Sequence, residues 1–270
     1  VDRSCGADVR AGDLAAWLPL LALLATMPLF AAVARGRPRD TDVARRPASV
    51  LLGYWLRDWM VWVLSPLEGW LVRRRVSPDV LNYAGAVLGL GAGVAFMSAI
   101  LPLAAWLVAL GGICDIIDGR IARARDMASP YGEFLDSTLD RFGEMFTYAG
   151  VAWYFAGPAW RVAATALAIG SSLLVSYTRA RGEALGVTAV GGFALRAERL
   201  VLLAIAALFD APAQRLFAWP AGTLLSAGVV TIALGSLATA LYRTVVIARA
   251  LRHRAPGAER ERGTGAAGRG

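Results

Sequence analysis

Residues 114–140 read "CDIIDGRIARARDMASPYGEFLDSTLD" and place Asp115, Asp118, Asp136 and Asp140 beside three arginines. Spacings of three and four residues put each pair of aspartates on one face of its own helix. Two such faces can converge, and four converging carboxylates repel one another unless divalent cations offset their charge. Hard oxygen ligands favour Mg²⁺ or Mn²⁺ over zinc. The single histidine, His253, lies near the C-terminus, and Cys5 and Cys114 are expected on opposite sides of a membrane, so neither a zinc site nor a disulfide is expected. Gly119 permits close backbone approach, and Arg123, five residues beyond Asp118, would suit a diphosphate. The plain alternative is a solvated rim in which the aspartates pair with Arg120, Arg123, Arg125 and Arg141.

The elements that must hold these residues are membrane helices. Hydrophobic residues make up 57% of the chain, mean hydropathy is +0.53, and there are nine tryptophans, more than a soluble domain of this size carries. Apolar runs long enough to approach a bilayer core of about 20 helical residues fall at 14–34, 78–99, 101–118, 133–156, 160–178, 196–210 and 221–247. The first reads as a retained anchor, since its apolar run is long and "ARGRPRD" offers no small-residue cleavage site. The stretch 49–75, with its tryptophans among Arg57, Asp58 and Glu68, reads as an amphipathic helix lying in the interface. Gly85, Gly89 and Gly93 recur every four residues and predict close helix packing. The polar, Gly-rich tail from 251 to 270 reads as disordered.

All 28 basic residues are arginine. With the N-terminus outside, Arg3, Arg10, Arg161 and Arg215 fall outside and the other twenty-four inside, so positive charge marks the cytoplasmic face. The aspartates lie on that face. A net charge of +8 could suggest nucleic acid, but the arginines sit at helix ends and no nucleic-acid partner is expected. Between Arg199 and Asp210 only ten apolar residues intervene, about 15 Å of helix. The sixth span must therefore carry Arg196, Glu198 and Arg199 below the membrane surface, which implies a polar cavity facing the cytosol.

The aspartate run resembles the signature of the CDP-alcohol phosphotransferase (CDP-alcohol phosphatidyltransferase) family, D-x2-D-G-x2-A-R-x8-G-x3-D-x3-D. Asp115, Asp118, Gly119, Ala122, Arg123, Gly132, Asp136 and Asp140 occupy every fixed position. The resemblance implies an all-α integral membrane protein with a six-helix transmembrane core over 76–250. The anchor and basic linker (1–48) and the interfacial helix (49–75) lie outside that core. It implies transfer of a substituted phosphate from a CDP-linked donor to an alcohol with release of CMP. Two divalent metals, Mg²⁺ or Mn²⁺, would be held by Asp115, Asp118, Asp136 and Asp140, with Asp140 also the base. Asp79, Asn82, Gly119, Ala122, Arg123, Ser129 and Gly132 would face the cytidine diphosphate together with Asp115 and Asp118, although Asn82 stands where a threonine is common. A homodimer in a bacterial cytoplasmic membrane is the implied setting. Two metals bridging a diphosphate stabilise the attacking and leaving oxygens of an in-line displacement. With no lysine in the chain and no histidine in the core, a carboxylate is the remaining candidate base.

CDP-diacylglycerol is the expected donor, because a site opening among lipid-facing helices suits acyl chains. The expected acceptor is a small alcohol phosphate, with inositol phosphate ahead of glycerol phosphate. That expectation rests on Arg179 and Arg181 in "SYTRARGEALG" and Arg196 and Arg199 in "GGFALRAERL", whose guanidinium forks match phosphate oxygens. Both stretches resemble those of family members that make phosphatidylinositol phosphate, with Arg179 in place of a more usual lysine. These arginines could instead obey the positive-inside rule or pair with Glu183 and Glu198. From another class, an ion or proton transporter would also place carboxylates in membrane helices. It would need polar groups through the depth of the spans, whose outer halves are Ala, Leu, Val and Gly.

Overall fold

The computed structural model describes residues 17–35, 40, 53–189, 191–192 and 194–254. The readings of residues 1–16 and 255–270, and of most of the basic linker, lie outside the described residues. Among the described residues there are eight α-helices: α1 Leu18–Val33, α2 Tyr54–Arg73, α3 Pro78–Met97, α4 Leu101–Ala124, α5 Pro130–Tyr154, α6 Ala159–Ala184, α7 Arg196–Phe217 and α8 Thr223–Arg254. The chain is an all-helical integral membrane protein.

Five helices, α3, α4, α6, α7 and α8, are long and apolar enough to span a bilayer. Helix α5 has 25 residues, ample length, but Glu133, Asp136, Asp140, Arg141 and Glu144 all fall between its start and just past its middle. It packs most closely on α3. Helix α1 has 16 described residues, short of a full crossing. Helix α8 continues to Arg254, beyond the expected core boundary at 250.

Short signals set the helix ends around the site. Ser77 and Ser129 cap α3 and α5, their hydroxyls accepting the N–H groups of Asp79 (3.3 Å) and Gly132 (3.1 Å), and each is followed by proline, which suits a helix's first position. Helices α2, α3, α4 and α6 end in a left-handed residue (Arg75, Ala99, Asp126, Gly186), and the next N–H returns to a carbonyl five residues back, the Schellman closure. Three of those residues are not glycine. The closure turns the chain sharply, so α4 passes into α5 with the two carboxylate faces adjacent.

Glycines bring α3 and α5 into contact. A Cβ on Gly89 would meet the Gly143 backbone at 2.6 Å, and one on Gly150 would meet the Gly93 carbonyl oxygen at 2.1 Å. The expected close approach thus falls within the chain, and Gly85 faces α4 near Gly111. Phe96, Phe155, Leu203, Leu225 and Ile232 form the buried core, while Val87, Val94, Trp153 and Leu234 point outward, as lipid-facing side chains must.

The short apolar run of the sixth span is explained at both ends. Helix α7 starts at Arg196 with Glu198 and Arg199 buried, and it passes through Asp210 to Phe217. Its 22 residues give about 33 Å of length. Asp210 is fully buried, and its carboxylate accepts the N–H groups of Gly222 (2.9 Å) and Leu225 (3.1 Å) at the start of α8. Unpaired N–H groups at a helix start attract negative charge, so this aspartate ties two helices together.

Candidate active site

The C-terminal end of α4 and the N-terminal half of α5 bring the aspartates together. Asp115, Asp118 and Asp136 each offer a carboxylate oxygen, all within 4.8 Å of one another. Asp118 is buried, and one of its oxygens accepts the Gly119 N–H. Asp140, one turn deeper than Asp136, joins the group through Arg196. That guanidinium lies 2.6 Å from Asp115 and 2.6 Å from Asp140, with Glu144 at 3.8 Å. The solvated-rim alternative fails for Asp115 and Asp140, whose cationic partner comes from α7 and not from the neighbouring arginines of the run.

The residues present fit a hard divalent cation. Asp136 keeps one carboxylate oxygen buried with no hydrogen-bond partner, and buried polar atoms are almost always satisfied. The donor set consists of carboxylate oxygens at short mutual spacing, the ligands that Mg²⁺ and Mn²⁺ prefer.

The residues expected at the donor lie on α3, α4 and the start of α5. Arg123 is exposed and folds back over Gly119, where a Cβ would meet its guanidinium at 3.3 Å. Ala122 lies on the same turn. Ser129 and Gly132 meet in the cap of α5. Asp79 sits in the first turn of α3, and Asn82, one turn on, is buried with its side-chain oxygen unpartnered.

The four arginines expected at the acceptor separate. Arg196 reaches the aspartates. Arg199 is 2% exposed and pairs with buried Glu144 at 2.7 Å while also donating to the Ala194 carbonyl. Arg179 is exposed and pairs with Glu183 at 2.9 Å, and Arg181 is exposed on the same turn. Glu198 accepts the Leu195 N–H at 2.9 Å, closing the start of α7.

Sequence reasoning missed Arg243. It is buried on α8 and donates to the Gly191 and Val175 carbonyls, with Arg179 and Arg199 in electrostatic range. Gly191 and Gly192 adopt φ values of 102° and 144°, and a Cβ on Gly192 would strike Thr239 at 2.3 Å. The Gly-Gly linker ahead of α7 is therefore seated against α8, not loose. A lone arginine in the apolar run "TALYRTVV" was the available signal. Below the aspartates lies a small glycine-lined cavity of about 30 Å³, bordered by Asp140, Glu144 and Arg196.

Known proteins resemble the chain over the helices that carry these residues. Residues 75–234 match the model of the family described as CDP-alcohol phosphatidyltransferase. The phosphatidylinositol phosphate synthase of Streptomyces avermitilis is 35% identical over 227 residues, covering 80% of this chain and 88% of that one. The fold is similar to crystal structures of Mycobacterium tuberculosis phosphatidylinositol phosphate synthase (PgsA1). The form with CDP-DAG bound gives a TM-score of 0.60 at 28% identity over 68% of this chain and 93% of that one. The form in complex with manganese and citrate gives 0.59 at 28% identity over 67% and 87%. With its eight-residue signature assembled at one end of the bundle and more than half its length matching the family model, the chain belongs to the CDP-alcohol phosphatidyltransferase family.

Proposed function

We propose that this transferase moves the phosphatidyl group of CDP-diacylglycerol to a hydroxyl of inositol phosphate and releases CMP. The observation that carries the reading is Arg196, whose guanidinium stands at the carboxylate cluster and offers a fork of the shape that binds phosphate. The donor and the metal are supported by the relatives, one solved with CDP-DAG and once with manganese. A charged acceptor is supported by Arg196 at the cluster and by the exposed Arg179 and Arg181 near the end of α6.

Asp115, Asp118, Asp136 and Asp140 would hold two divalent cations, Mg²⁺ or Mn²⁺. When bound, these would offset charge on the diphosphate and on the leaving phosphate. Gly119, which has no side chain beneath the Arg123 guanidinium, admits the diphosphate there. Ala122, Ser129 and Gly132 line the donor's path, and Asp79 and Asn82 face its nucleotide end. Asn82 brings an unpartnered oxygen. The acceptor hydroxyl attacks the phosphatidyl phosphorus, the bond from that phosphorus to the oxygen of CMP breaks, and the hydroxyl proton passes to Asp140. Arg196 orients the acceptor phosphate, Arg179 and Arg181 draw it from solution, and Arg199 holds Arg196 in place through Glu144. The six helices over 76–250 form the catalytic domain. The site is read as facing the cytoplasm from a bacterial cytoplasmic membrane, an orientation supported by the excess of arginine at the site's end of the bundle.

The test is turnover with inositol phosphate, glycerol phosphate, free inositol and serine, in wild type and in Arg181→Ala and Arg196→Ala. Inositol phosphate should be preferred, and both substitutions should raise its KM. Preference for an unphosphorylated alcohol, or an unaltered KM and rate in both variants, overturns the acceptor assignment.

A further inference from the structure

Helix α4 carries chemistry on one face and a second set of contacts on the other. Asp115 and Asp118 point to the carboxylate cluster. Arg120, two residues beyond Asp118, is turned about 200° around a helix of 3.6 residues per turn. It therefore faces α2. There its Nε donates to Glu68 at 2.7 Å, and its two terminal nitrogens donate to the two oxygens of Asp40 at 3.2 and 3.3 Å. All three side chains are largely shielded, at 15%, 16% and 28% exposure for Arg120, Glu68 and Asp40. Apolar packing continues the same contact. Ile117 and Ile121, both buried, meet Leu71 and Leu64 of α2 and Leu81 of α3.

Glu68 and Asp40 precede the segment that matches the family model, which begins at residue 75. A guanidinium gripped by two carboxylates from one side, over an isoleucine seam, fixes rotation about a helix axis better than either contact alone. A bidentate fork fixes direction as well as distance. Rotation is what matters here, because it sets where Asp115 and Asp118 point.

We propose that Arg120 is a positioning residue: its ion pairs with Glu68 and Asp40 lock the rotation of the α4 turn that carries Asp115 and Asp118, which makes the segment ahead of the family-matching region part of the catalytic apparatus. The inference rests on the reading of those aspartates as cation ligands. It assigns α2 a task beyond lying along the membrane, namely to brace the cation-binding turn from behind.

The experiment uses the full chain purified in lipid nanodiscs, with Cys5→Ser in the background so that Cys114 is the sole thiol. Mn²⁺ affinity is read by electron paramagnetic resonance, Cys114 labelling rate by a maleimide, and folded fraction by thermal unfolding. Removing the partners of a group that orients metal ligands typically weakens metal binding by about 10- to 100-fold, so Asp40→Asn/Glu68→Gln should weaken Mn²⁺ binding about tenfold per folded molecule. Cys114, adjacent to Asp115 and half-buried, should label several-fold faster. Arg120→Glu should do the same, and adding Glu68→Arg to it should recover most of the affinity. Lower thermal stability with wild-type Mn²⁺ affinity and wild-type labelling overturns the inference, as does failure of the reversed pair to recover anything. If wild type binds no Mn²⁺, the ligand reading fails while the labelling rates still decide the latch. If the double variant does not fold, Glu68→Gln alone decides by the same two readouts.

Discussion

Arg196 joins Asp115 of α4 to Asp140 of α5, 2.6 Å from each carboxylate. A single guanidinium from α7 therefore offsets the charge of both acidic pairs. Its Glu144 contact and the neighbouring Arg199–Glu144 pair continue the network into the bundle. A base needs a neighbour that keeps it in place without holding its proton site permanently. On the proposed reading, an acceptor phosphate competing for the same arginine would free Asp140 as it docks, and acceptor binding would then be coupled to the availability of the base.

Replacing Asp140 with asparagine should separate binding from chemistry. Asp140→Asn is expected to keep donor affinity within a few-fold while turnover falls by about 10²-fold or more, the usual worth of a positioned base. Parallel measurement of CDP-diacylglycerol binding and single-turnover rate checks it. A proportional loss of both would make Asp140 a cation ligand only.

Removing divalent cations should abolish activity, and Mg²⁺ or Mn²⁺ should restore it. Asp136→Asn, which removes the ligand with the unpartnered buried oxygen, should raise the Mn²⁺ concentration needed for half-maximal activity by about tenfold or more, the lower end of the loss known for perturbed metal-site shells. Full activity after exhaustive chelation would contradict this.

Glu144→Gln strands Arg199, which is 2% exposed. Breaking a buried pair from one side costs about 3–5 kcal/mol, so the variant should unfold at clearly lower temperature in detergent. Replacing both partners, as Glu144→Leu/Arg199→Met, should recover much of that stability because no unpaired charge remains. Activity should stay low in both, since Arg196 loses its support.

The aspartate cluster was legible because residues three and four apart share a helix face whatever the tertiary structure. The helices were legible because apolar runs must match the bilayer. Partnerships across helices were not. Nothing local distinguishes Arg196, which reaches Asp140, from Arg199, three residues on, which turns to Glu144. Asp210 looked like the end of a span. It is an interior residue of α7 because α8 presents its first N–H groups there, a three-dimensional fact. Arg120 sits inside the signature but faces away from it, and only the position of α2 shows what it grips.

The central claim is transfer of an intact phosphatidyl group to a phosphorylated acceptor. It is tested most directly by incubating the purified chain with CDP-diacylglycerol, Mn²⁺ and inositol phosphate, and measuring CMP and the mass of the lipid product in one sample. The account predicts equimolar CMP and a phosphatidylinositol that retains the acceptor's phosphate, with neither formed when Asp140 is asparagine. CMP without that lipid, or a product of the same mass as the one from free inositol, would contradict it.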